Sequence, residues 1–372
     1  MDLTQELERR HANVRAAMAD HSLDALVVAG SEYTGFEGSV TYLSGFQIVH
    51  RYAYVVLPAD GEPLIVFPTE ARYVGEHGTA QLEQVFADHP GAEIATRARA
   101  AGWRRVGAYG LDYVMTVRDY RALDGLEVVP FDVEFDLARA VKSDAELASV
   151  RDSVRINQRG FEVWFEHYEP GRTAAEVMAA AEDYFVAEGC GRLTMNMVLT
   201  SPNGGGRALP EFKIARKEEV LGGFVLPSLE VAGPGMHWVE VSRAVAAGGQ
   251  ELSDDTKRML EAYVEYHDAA RTAMRAGATC HDLHRAVSRG FAGRGYHLGH
   301  VTGHSIGMTM IEFPKVGEGV ETELAANMVL SMHPHAIAAS GEDCLYMQDT
   351  WLVTEEGGEP LSTLPMEIYV KA

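Results

Sequence analysis

Cysteine is scarce in this 372-residue sequence, which contains only Cys190, Cys280 and Cys344. Three cysteines without a recognisable metal-ligand spacing argue against a disulfide framework, and so low a number is typical of a reducing cytosol. The sequence also lacks an apolar run of membrane-spanning length. Its charged opening, MDLTQELERR, lacks the apolar stretch of a signal peptide. We therefore expect a cytoplasmic protein that has no membrane partner.

Positive charge is scarce as well. The sequence has 32 lysine and arginine residues against 54 aspartate and glutamate residues, which gives a formal net charge of −22. Such a field repels nucleic acids and anionic membranes, so neither is an expected partner. It does not exclude a zwitterionic or cationic small molecule. Hydrophobic residues make up 47% of the chain, which is enough to bury a sizeable core, and the length favours two domains.

Residues 1–138 have the pattern of an α/β domain. Leu3, Leu7, Val14 and Met18 lie near helical spacing and predict an opening amphipathic helix. Short apolar runs predict strands, and an ADGE turn predicts a hairpin. The predicted strands are LDALVVAG (23–30), VTYLSGF (40–46), YAYVVLPADGEPLIVFP (52–68, both arms of the hairpin) and RRVGAYG (104–110), with helices around 70–77 and 93–102.

Residues 139–372 form the second predicted domain. Ser143-x-x-Glu146 is a capping-box signature ahead of a long helix, and we place the domain boundary just before it. Further helices with such starts are expected at Thr173, Ser253 and Thr279. Helices grouped beside an antiparallel-type sheet indicate an α+β domain. The strand-like runs lie near 224–247, 299–312, 327–336 and 348–354.

Four polar segments of the second domain are candidates for chemistry. On a strand, Glu240 faces the opposite side from Val239 and Val241, which directs its carboxylate towards a cleft. Any one segment taken alone is more often structural than functional, so we weigh them as a set. They are residues 224–245 with Glu230 and Glu240, HVTGHSIG (300–307) with His300 and His304, VLSMHPHA (329–336) with His333 and His335, and YMQDTWLV (346–353) with Gln348 and Asp349.

In order and context, these motifs resemble those of creatinase, prolidase and aminopeptidase P. LDALVV, VTYLSGF and YVVLPADGEPLIV are similar to the N-terminal domain of creatinase and prolidase, whereas TGHSIG, NMVLSMHP and QDTWLVTEEG resemble their "pita-bread" catalytic domain. The resemblance covers nearly the whole chain. It implies a ribonuclease-H-like α/β domain, an α+β pita-bread domain, and a homodimer in which the first domain of one subunit borders the other subunit's active site.

The resemblance also shows where this sequence departs from the family's peptidases, in which Asp, Asp, His, Glu and Glu hold two divalent metals. Only the histidine is kept, and the neutral amide at the last position is a poor bridge between two cations. We therefore do not expect the usual dinuclear centre. The five positions align with Leu229 (or, with a one-residue slip, Glu230), Glu240, His304, His333 and Gln348.

Two interpretations of this altered set remain open. In the first, Glu240, His304, His333 and Gln348 hold one divalent ion per subunit, Zn²⁺, Fe²⁺ or Mn²⁺. In the second there is no metal, as in creatinase, and the histidines act with Glu240 as an acid–base cluster. Two histidines and one carboxylate also resemble the sites of mononuclear non-haem iron enzymes.

Our hypothesis from the sequence is a hydrolase that cleaves a non-peptide C–N bond in a small, polar, nitrogenous metabolite. The alternatives are an Xaa-Pro dipeptidase or aminopeptidase, a non-haem iron enzyme and, last, a non-catalytic binding scaffold. Two further family histidines align with Glu211 and Ile311, while His300 is kept. The predicted catalytic residues are His300, Glu211 and Glu240, and the predicted substrate-binding residues are Glu230, His335 and, reaching the neighbouring subunit from the first domain, His50 and Arg51.

Overall fold

We describe the protein from a computed structural model, in residues 3–32, 35–73, 82–190, 194–201 and 206–372. The chain divides into two compact units. The N-terminal unit comprises Met1–Arg139 and Met308–Met310, and the C-terminal unit comprises Ala140–Gly307 and Ile311–Ala372. None of the helices in the described residues is long and apolar enough to cross a membrane.

The N-terminal unit is built on a mixed six-stranded sheet, with strand order β4-β3-β2-β1-β5-β6. β1 is antiparallel to β2 and parallel to β5, and β2 and β3 form the predicted hairpin. The strands are β1 Ala25–Ser31, β2 Tyr52–Pro58, β3 Leu64–Pro68, β4 Glu83–Ala87, β5 Arg105–Tyr109 and β6 Glu127–Pro130. The helices are α1 Leu3–Asp20, α2 Gly38–Ser44, α3 Pro90–Ala101, α4 Val117–Ala122 and α5 Asp132–Ala140, with a 3₁₀ helix at Thr69–Tyr73. Part of the helix expected at 70–77 lies outside the described residues.

The predicted strand at 40–46 is wrong, because this segment forms helix α2. All seven residues of α2 are buried, and a short segment that is buried on every side shows neither helical nor strand periodicity. Gly45 ends the helix in the left-handed conformation, with φ 70°, and its N–H donates to the carbonyl of Thr41. Glycine adopts this conformation without steric cost, which explains the position of the helix end.

A buried carboxylate joins several elements of the N-terminal unit. Oδ2 of Asp119 accepts hydrogen bonds from the hydroxyls of Tyr52 and Tyr54, both at 3.0 Å, and from that of Thr116 at 2.8 Å. Its Oδ1 accepts from the N–H of Gly91 at 3.0 Å. The two tyrosines lie on β2, Thr116 caps α4 and Gly91 lies in the first turn of α3, so one side chain connects a strand to two helices.

The C-terminal unit begins with the long helix that the sequence predicts. Ser143 Oγ accepts from the N–H of Glu146, and a carboxylate oxygen of Glu146 accepts from the N–H of Ser143, so the predicted capping box is confirmed. Thr173 begins a second such box, whereas Ser253 and Thr279 provide the N-cap hydrogen bond alone. The helices are α6 Asp144–His167, α7 Ala174–Ala187, α8 Asp254–Ala273 and α9 Cys280–Gly293.

The strands of the C-terminal unit form several small sheets, and the described strand pairs are antiparallel except for Val245–Ala247 with Tyr369–Lys371. Their core contains Tyr263, Phe291 and Trp351, all buried. The strands are β7 Met197–Thr200, β8 Lys213–Ile214, β9 Phe224–Ser228, β10 Glu230–Ala232, β11 Trp238–Glu240, β12 Val245–Ala247, β13 His297–Leu298, β14 Gly303–Ser305, β15 Glu312–Val316, β16 Val329–Met332, β17 His335–Ile337, β18 Cys344–Tyr346, β19 Asp349–Val353, β20 Gly358–Pro360 and β21 Tyr369–Lys371.

Strand register brings the four polar segments of the sequence together. β10 and β11 pair so that Glu230 lies opposite Glu240. In another sheet β16 lies between β14 and β19, and His304 lies opposite Ser331. β11 is fastened to β19, because Thr350 Oγ1 accepts from the N–H of Glu240 and donates to its carbonyl oxygen.

Candidate metal centre

Glu240 is the centre of a buried polar cluster. It ends β11 and is 2% exposed, while its neighbours Val239 and Val241 are fully buried. One carboxylate oxygen, Oε1, lies 3.5 Å from His304 Nε2. The other, Oε2, lies 3.9 Å from His333 Nε2 and accepts a 2.6 Å hydrogen bond from Ser331 Oγ. Strands far apart in sequence therefore converge on one carboxylate.

Glu240, His304 and His333 together have the geometry of a metal-binding group. Each offers a ligand atom, and these atoms all lie within 4.8 Å of one another. Among the described residues this is the one such group of histidine, cysteine, aspartate or glutamate side chains. Two imidazole nitrogens and one carboxylate suit Zn²⁺ and other divalent transition metals.

Hydrogen bonding fixes the tautomer of one of the histidines. His304 Nδ1 lies 2.9 Å from the carbonyl oxygen of Ser305. A carbonyl only accepts, so Nδ1 carries a proton and Nε2 is the atom that faces Glu240; it can donate to the carboxylate when protonated, and it would offer its lone pair to a metal once that proton is lost. His333 Nδ1 is buried and has no hydrogen-bond partner among the described residues. Both rings thus present Nε2 to the same small space.

The charges of the cluster also suit a cation. Burial raises the pKa of Glu240, but the nearby rings of His333 and His304 and the hydroxyl of Ser331 outweigh it and lower the pKa to about 2. Burial lowers the pKa of His333 to about 3. Burial also opposes a charge on His304, yet its hydrogen bond and attraction to Glu240 raise its pKa. Glu240 and His333 are thus in the protonation state that metal binding requires, whereas a bound ion would displace the proton that Glu240 favours on His304.

The residues present therefore fit one divalent ion, with Glu240, His304 and His333 as the protein ligands. Three protein ligands leave coordination positions for water or substrate, as catalytic sites require. The arrangement of Gln348 differs from the ligand role that the sequence predicts. Its amide nitrogen, which has no lone pair to give a metal, faces Glu240 at 3.0 Å from Oε2. Its amide oxygen points instead to the hydroxyls of Ser228 and Ser242.

The one-residue slip considered from the sequence places Glu230, rather than Leu229, in the cluster. Leu229 is fully buried, and its carbonyl oxygen accepts from the side-chain amide of Asn157. Glu230 is 6% exposed, and its Oε1 accepts from Ser228 Oγ and Gln348 Nε2, both at 3.0 Å. Burial and then the charge of Glu240 raise the pKa of Glu230 well above its ordinary value.

Several aromatic side chains border the cluster on the side of His333. The exposed ring of His300 lies 4.9 Å from that of His333 and 5.5 Å from that of His335, measured between centroids. His335 is buried, its Nε2 has no hydrogen-bond partner in the part of the chain that the structure describes, and burial lowers its pKa to about 4. Phe212 contacts His335 and Tyr346 edge-on. The cluster thus has an exposed histidine at its edge and neutral rings behind it.

Three other predicted site residues lie at exposed or half-exposed positions. Glu211 is exposed and immediately precedes Phe212. In the N-terminal unit, His50 Nδ1 lies 3.4 Å from a carboxylate oxygen of Glu32, and Arg51 is exposed with φ 65°. The roles proposed for these residues remain predictions.

Sequence reasoning missed two residues that hold the cluster together, Ser331 and Tyr346. Ser331 donates to Glu240, and Tyr346 Oη accepts from Gln348 Nε2 at 3.0 Å. A signal for both was present, because side chains two residues apart share a face of a strand. Ser331 precedes His333 by two residues, and Tyr346 precedes Gln348 by two.

Comparison with known proteins gives matches along the chain. Residues 148–355 match the model of metallopeptidase family M24, and residues 10–141 match the creatinase/prolidase N-terminal domain. The chain is 28% identical, over 374 residues, to the probable dipeptidase PepE of Mycobacterium tuberculosis (strain ATCC 25618 / H37Rv), covering 97% of this chain and 96% of the relative.

Two proteins described as Xaa-Pro dipeptidases are also similar. The relative from Pyrococcus horikoshii is 22% identical over 358 residues, which cover 94% of this chain and 96% of the relative. The solved structure of an Xaa-Pro dipeptidase from Bacillus anthracis has a TM-score of 0.80 at 19% identity, covering 98% of this chain and 99% of that chain.

Proposed function

Since the chain belongs to metallopeptidase family M24, we propose that it hydrolyses the amide bond of a dipeptide-sized substrate with a single divalent metal ion. The matches confirm the architecture predicted from the sequence, an α/β creatinase-type N-terminal domain followed by an α+β pita-bread domain. They also make the chain a hydrolase of C–N bonds.

The proposed substrate departs from the first hypothesis drawn from the sequence. That hypothesis placed a non-peptide C–N bond ahead of a peptide bond, because four of the five peptidase ligands are replaced. The similar proteins are described as dipeptidases and Xaa-Pro dipeptidases, which supports the alternative instead. A change in the metal ligands does not itself require a change in the bond that is cleaved.

One observation carries the proposal, namely the convergence of Glu240, His304 and His333, with ligand atoms within 4.8 Å of one another. Two histidines and one glutamate are the protein ligands of single-zinc peptidases on unrelated folds, where they leave a coordination position open. A set with one carboxylate and two imidazole rings balances one divalent cation better than two.

Each residue of the cluster has a chemical role in this proposal. A divalent ion bound there supplies Lewis-acid polarisation of an amide carbonyl and activation of water. Glu240, His304 and His333 hold that ion, and Ser331 fixes the carboxylate of Glu240. His300 donates its Nδ1 proton to the carbonyl of Val301 at 2.9 Å. Its Nε2 therefore keeps a lone pair and accepts a proton from water or substrate at the edge of the cluster.

Metal analysis combined with a substrate panel tests this proposal. Protein purified without a histidine tag is loaded with Zn²⁺, Mn²⁺ or Fe²⁺ and then dialysed. The number of bound ions per chain is measured, and the same protein is assayed for hydrolysis of dipeptides with and without a C-terminal proline. We expect about one ion per chain, and dipeptide turnover that chelation abolishes and the ion restores. His304→Ala should lose both, whereas His89→Ala, at an exposed position of the N-terminal unit, should lose neither.

Full dipeptide turnover after chelation, or no bound ion, would overturn the single-metal proposal. Small non-peptide amides are assayed beside the dipeptides, and hydrolysis of these amides without any dipeptide turnover would support the first hypothesis, a non-peptide C–N hydrolase, instead. Because two histidines and one carboxylate are also the ligands of non-haem iron oxygenases, oxygen uptake is measured with the Fe²⁺-loaded protein. We expect none beyond that of the His304→Ala variant.

A further inference from the structure

The side-chain amide of Gln348 lies between the two glutamates of the candidate metal centre. Its Nε2 is 3.0 Å from Glu230 Oε1, 3.0 Å from Glu240 Oε2 and 3.0 Å from Tyr346 Oη. Gln348 is fully buried. Its two N–H hydrogens therefore serve three oxygens, two of which belong to carboxyl groups on neighbouring strands.

The surroundings of Gln348 determine which way its amide points. The amide oxygen of Gln348, Oε1, lies on the side away from Glu240 and accepts from Ser242 Oγ at 2.9 Å and from Ser228 Oγ at 3.2 Å. Hydroxyls can donate to an amide oxygen, whereas an ionised carboxylate can only accept. Reversing the amide would set its oxygen against Glu240 Oε2 at hydrogen-bond distance, which is repulsive. The nitrogen therefore belongs on the side of the glutamates.

Two buried carboxyl groups that face each other are stabilised by a cation or a hydrogen-bond donor between them, because negative charge on both is otherwise repulsive. In dinuclear hydrolases a metal cation provides this stabilisation, but here the space between Glu230 and Glu240 contains the N–H dipoles of an amide. We propose that the amide of Gln348 takes the place of a second cation between Glu230 and Glu240, limits the centre to one ion, and holds Glu240 towards His304 and His333. The inference rests on the single-metal site proposed above.

Gln348 is thus a positioning residue, since it acts through Glu240 rather than on substrate. A purely structural glutamine would make the same hydrogen bonds but would not influence how many ions the protein binds. Metal stoichiometry therefore distinguishes the two roles independently of activity. The most direct change is Gln348→Glu, which keeps the size of the side chain and replaces the N–H donors with a carboxylate oxygen.

The experiment compares Gln348→Glu with the unmodified protein by equilibrium dialysis against Mn²⁺ followed by elemental analysis. Mn²⁺ is the probe because it favours carboxylate ligands. We expect the variant to bind one ion per chain more than the unmodified protein. Gln158→Glu is the matched control. It adds the same charge on α6, where Gln158 is bonded to Thr363 away from the cluster, and should leave the number unchanged.

The two proposals fail in different ways. The number of ions bound by the unmodified protein tests the single-metal site, whereas the difference between variant and unmodified protein tests the role of Gln348. Equal numbers in the two proteins would overturn the inference even if each binds one ion. A gain that also occurs in Gln158→Glu would overturn it as well, because added charge anywhere would then suffice.

A second variant keeps the inference testable if Gln348→Glu does not fold. Gln348→Met has a similar shape but no N–H donor, so Glu240 loses a contact that directs it towards the histidines. Outer-shell partners of a metal ligand typically contribute about 10–100-fold in metal affinity, and we expect a loss of that size by calorimetric titration with Mn²⁺. An unchanged affinity would overturn the positioning role.

Discussion

Glu230 and Glu240 lie directly opposite each other in an antiparallel strand pair, yet the pKa values of their carboxyl groups are shifted in opposite directions. Burial and the charge of Glu240 raise the pKa of Glu230, whereas the two histidines and Ser331 lower that of Glu240 to about 2 against the effect of burial. The surroundings therefore oppose a negative charge on Glu230 and favour one on Glu240. This asymmetry is what a centre for one cation needs, because a second carboxylate would require a second positive group.

The hydroxyl of Ser331 should matter to metal affinity although it is not a ligand. It donates a 2.6 Å hydrogen bond to Glu240 Oε2, which sets the orientation of the carboxylate. Ser331→Ala should weaken Mn²⁺ or Zn²⁺ binding about 10–100-fold, as other outer-shell changes do, with the number of ions unchanged. The measurement is calorimetric titration of the metal-free protein.

The control for Ser331→Ala is Ser44→Ala. Ser44 is also a buried serine with two hydrogen bonds, to the carbonyl of Val40 and from the N–H of Phe46, but it lies in the N-terminal unit. Its loss should cost stability without any change in metal affinity. Equal effects of the two variants on affinity would show that the loss reflects general destabilisation rather than the contact with Glu240.

Much of the fold could be predicted because local patterns determine it. The capping box of Ser143 and Glu146 begins α6, and the ADGE turn joins β2 and β3, as expected. The helix α2 could not be predicted, since complete burial removes the difference between its faces. The ordered motifs supplied the family, which no single motif could have done.

The candidate site could be predicted in its members but not in its geometry. The sequence singled out Glu240, His304 and His333, which the fold brings together. It could not predict the direction of the Gln348 amide, because this depends on Ser228 and on hydrogen bonds between strands more than 100 residues apart. Position in an alignment assigned Gln348 as a ligand, whereas the neighbouring carboxyl groups determine that its nitrogen faces the cluster.

The pKa of His335 predicts a loss of stability in mild acid. Burial lowers it to about 4 in the folded protein, whereas an unfolded chain takes up this proton near pH 6.5. Between these two pH values the unfolded chain binds the proton and the folded protein does not, so protons favour unfolding. The contribution of His335 to the free energy of unfolding is therefore fully present above pH 6.5 and is lost as the pH falls to 4. The total loss in the free energy of unfolding is on the order of 3 kcal/mol.

His335→Phe tests this assignment, because phenylalanine keeps an aromatic ring beside Phe212 and Tyr346 and does not titrate. The free energy of unfolding is measured by urea denaturation from pH 4 to 7, with a chelator present so that metal binding does not contribute. The variant should lose less stability on acidification than the unmodified protein. His21→Phe, at an exposed position, should retain the original slope; parallel curves for all three proteins would contradict the prediction.

Asp119 should be a main determinant of the stability of the N-terminal unit. Asp119→Ala leaves the buried hydroxyl of Tyr54 and the N–H of Gly91 without their acceptor, and an unsatisfied buried group costs about 1–3 kcal/mol. We expect a loss of about 3 kcal/mol in the free energy of unfolding, with metal stoichiometry unchanged. Asp124→Ala, an exposed change in the same unit, should cost little. Equal stability of the two variants would contradict the role of Asp119.

The family resemblance implies a homodimer in which the first domain of one subunit borders the other subunit's active site, and Arg51 is, with His50, a candidate to reach that site. Mixing two variants tests this directly. His304→Ala and Arg51→Ala are each expected to be nearly inactive alone. When they are unfolded together and refolded, a mixed dimer contains one site with an intact His304 and an intact Arg51 from the partner chain. Random pairing makes half of the dimers mixed, so about a quarter of all sites should recover.

If Arg51 acts within its own chain, no site in the mixture is intact and activity stays at the level of the separate variants. Recovery in the mixture would therefore establish the dimer and the shared site together, whereas full activity of Arg51→Ala alone would remove this residue from the proposed site.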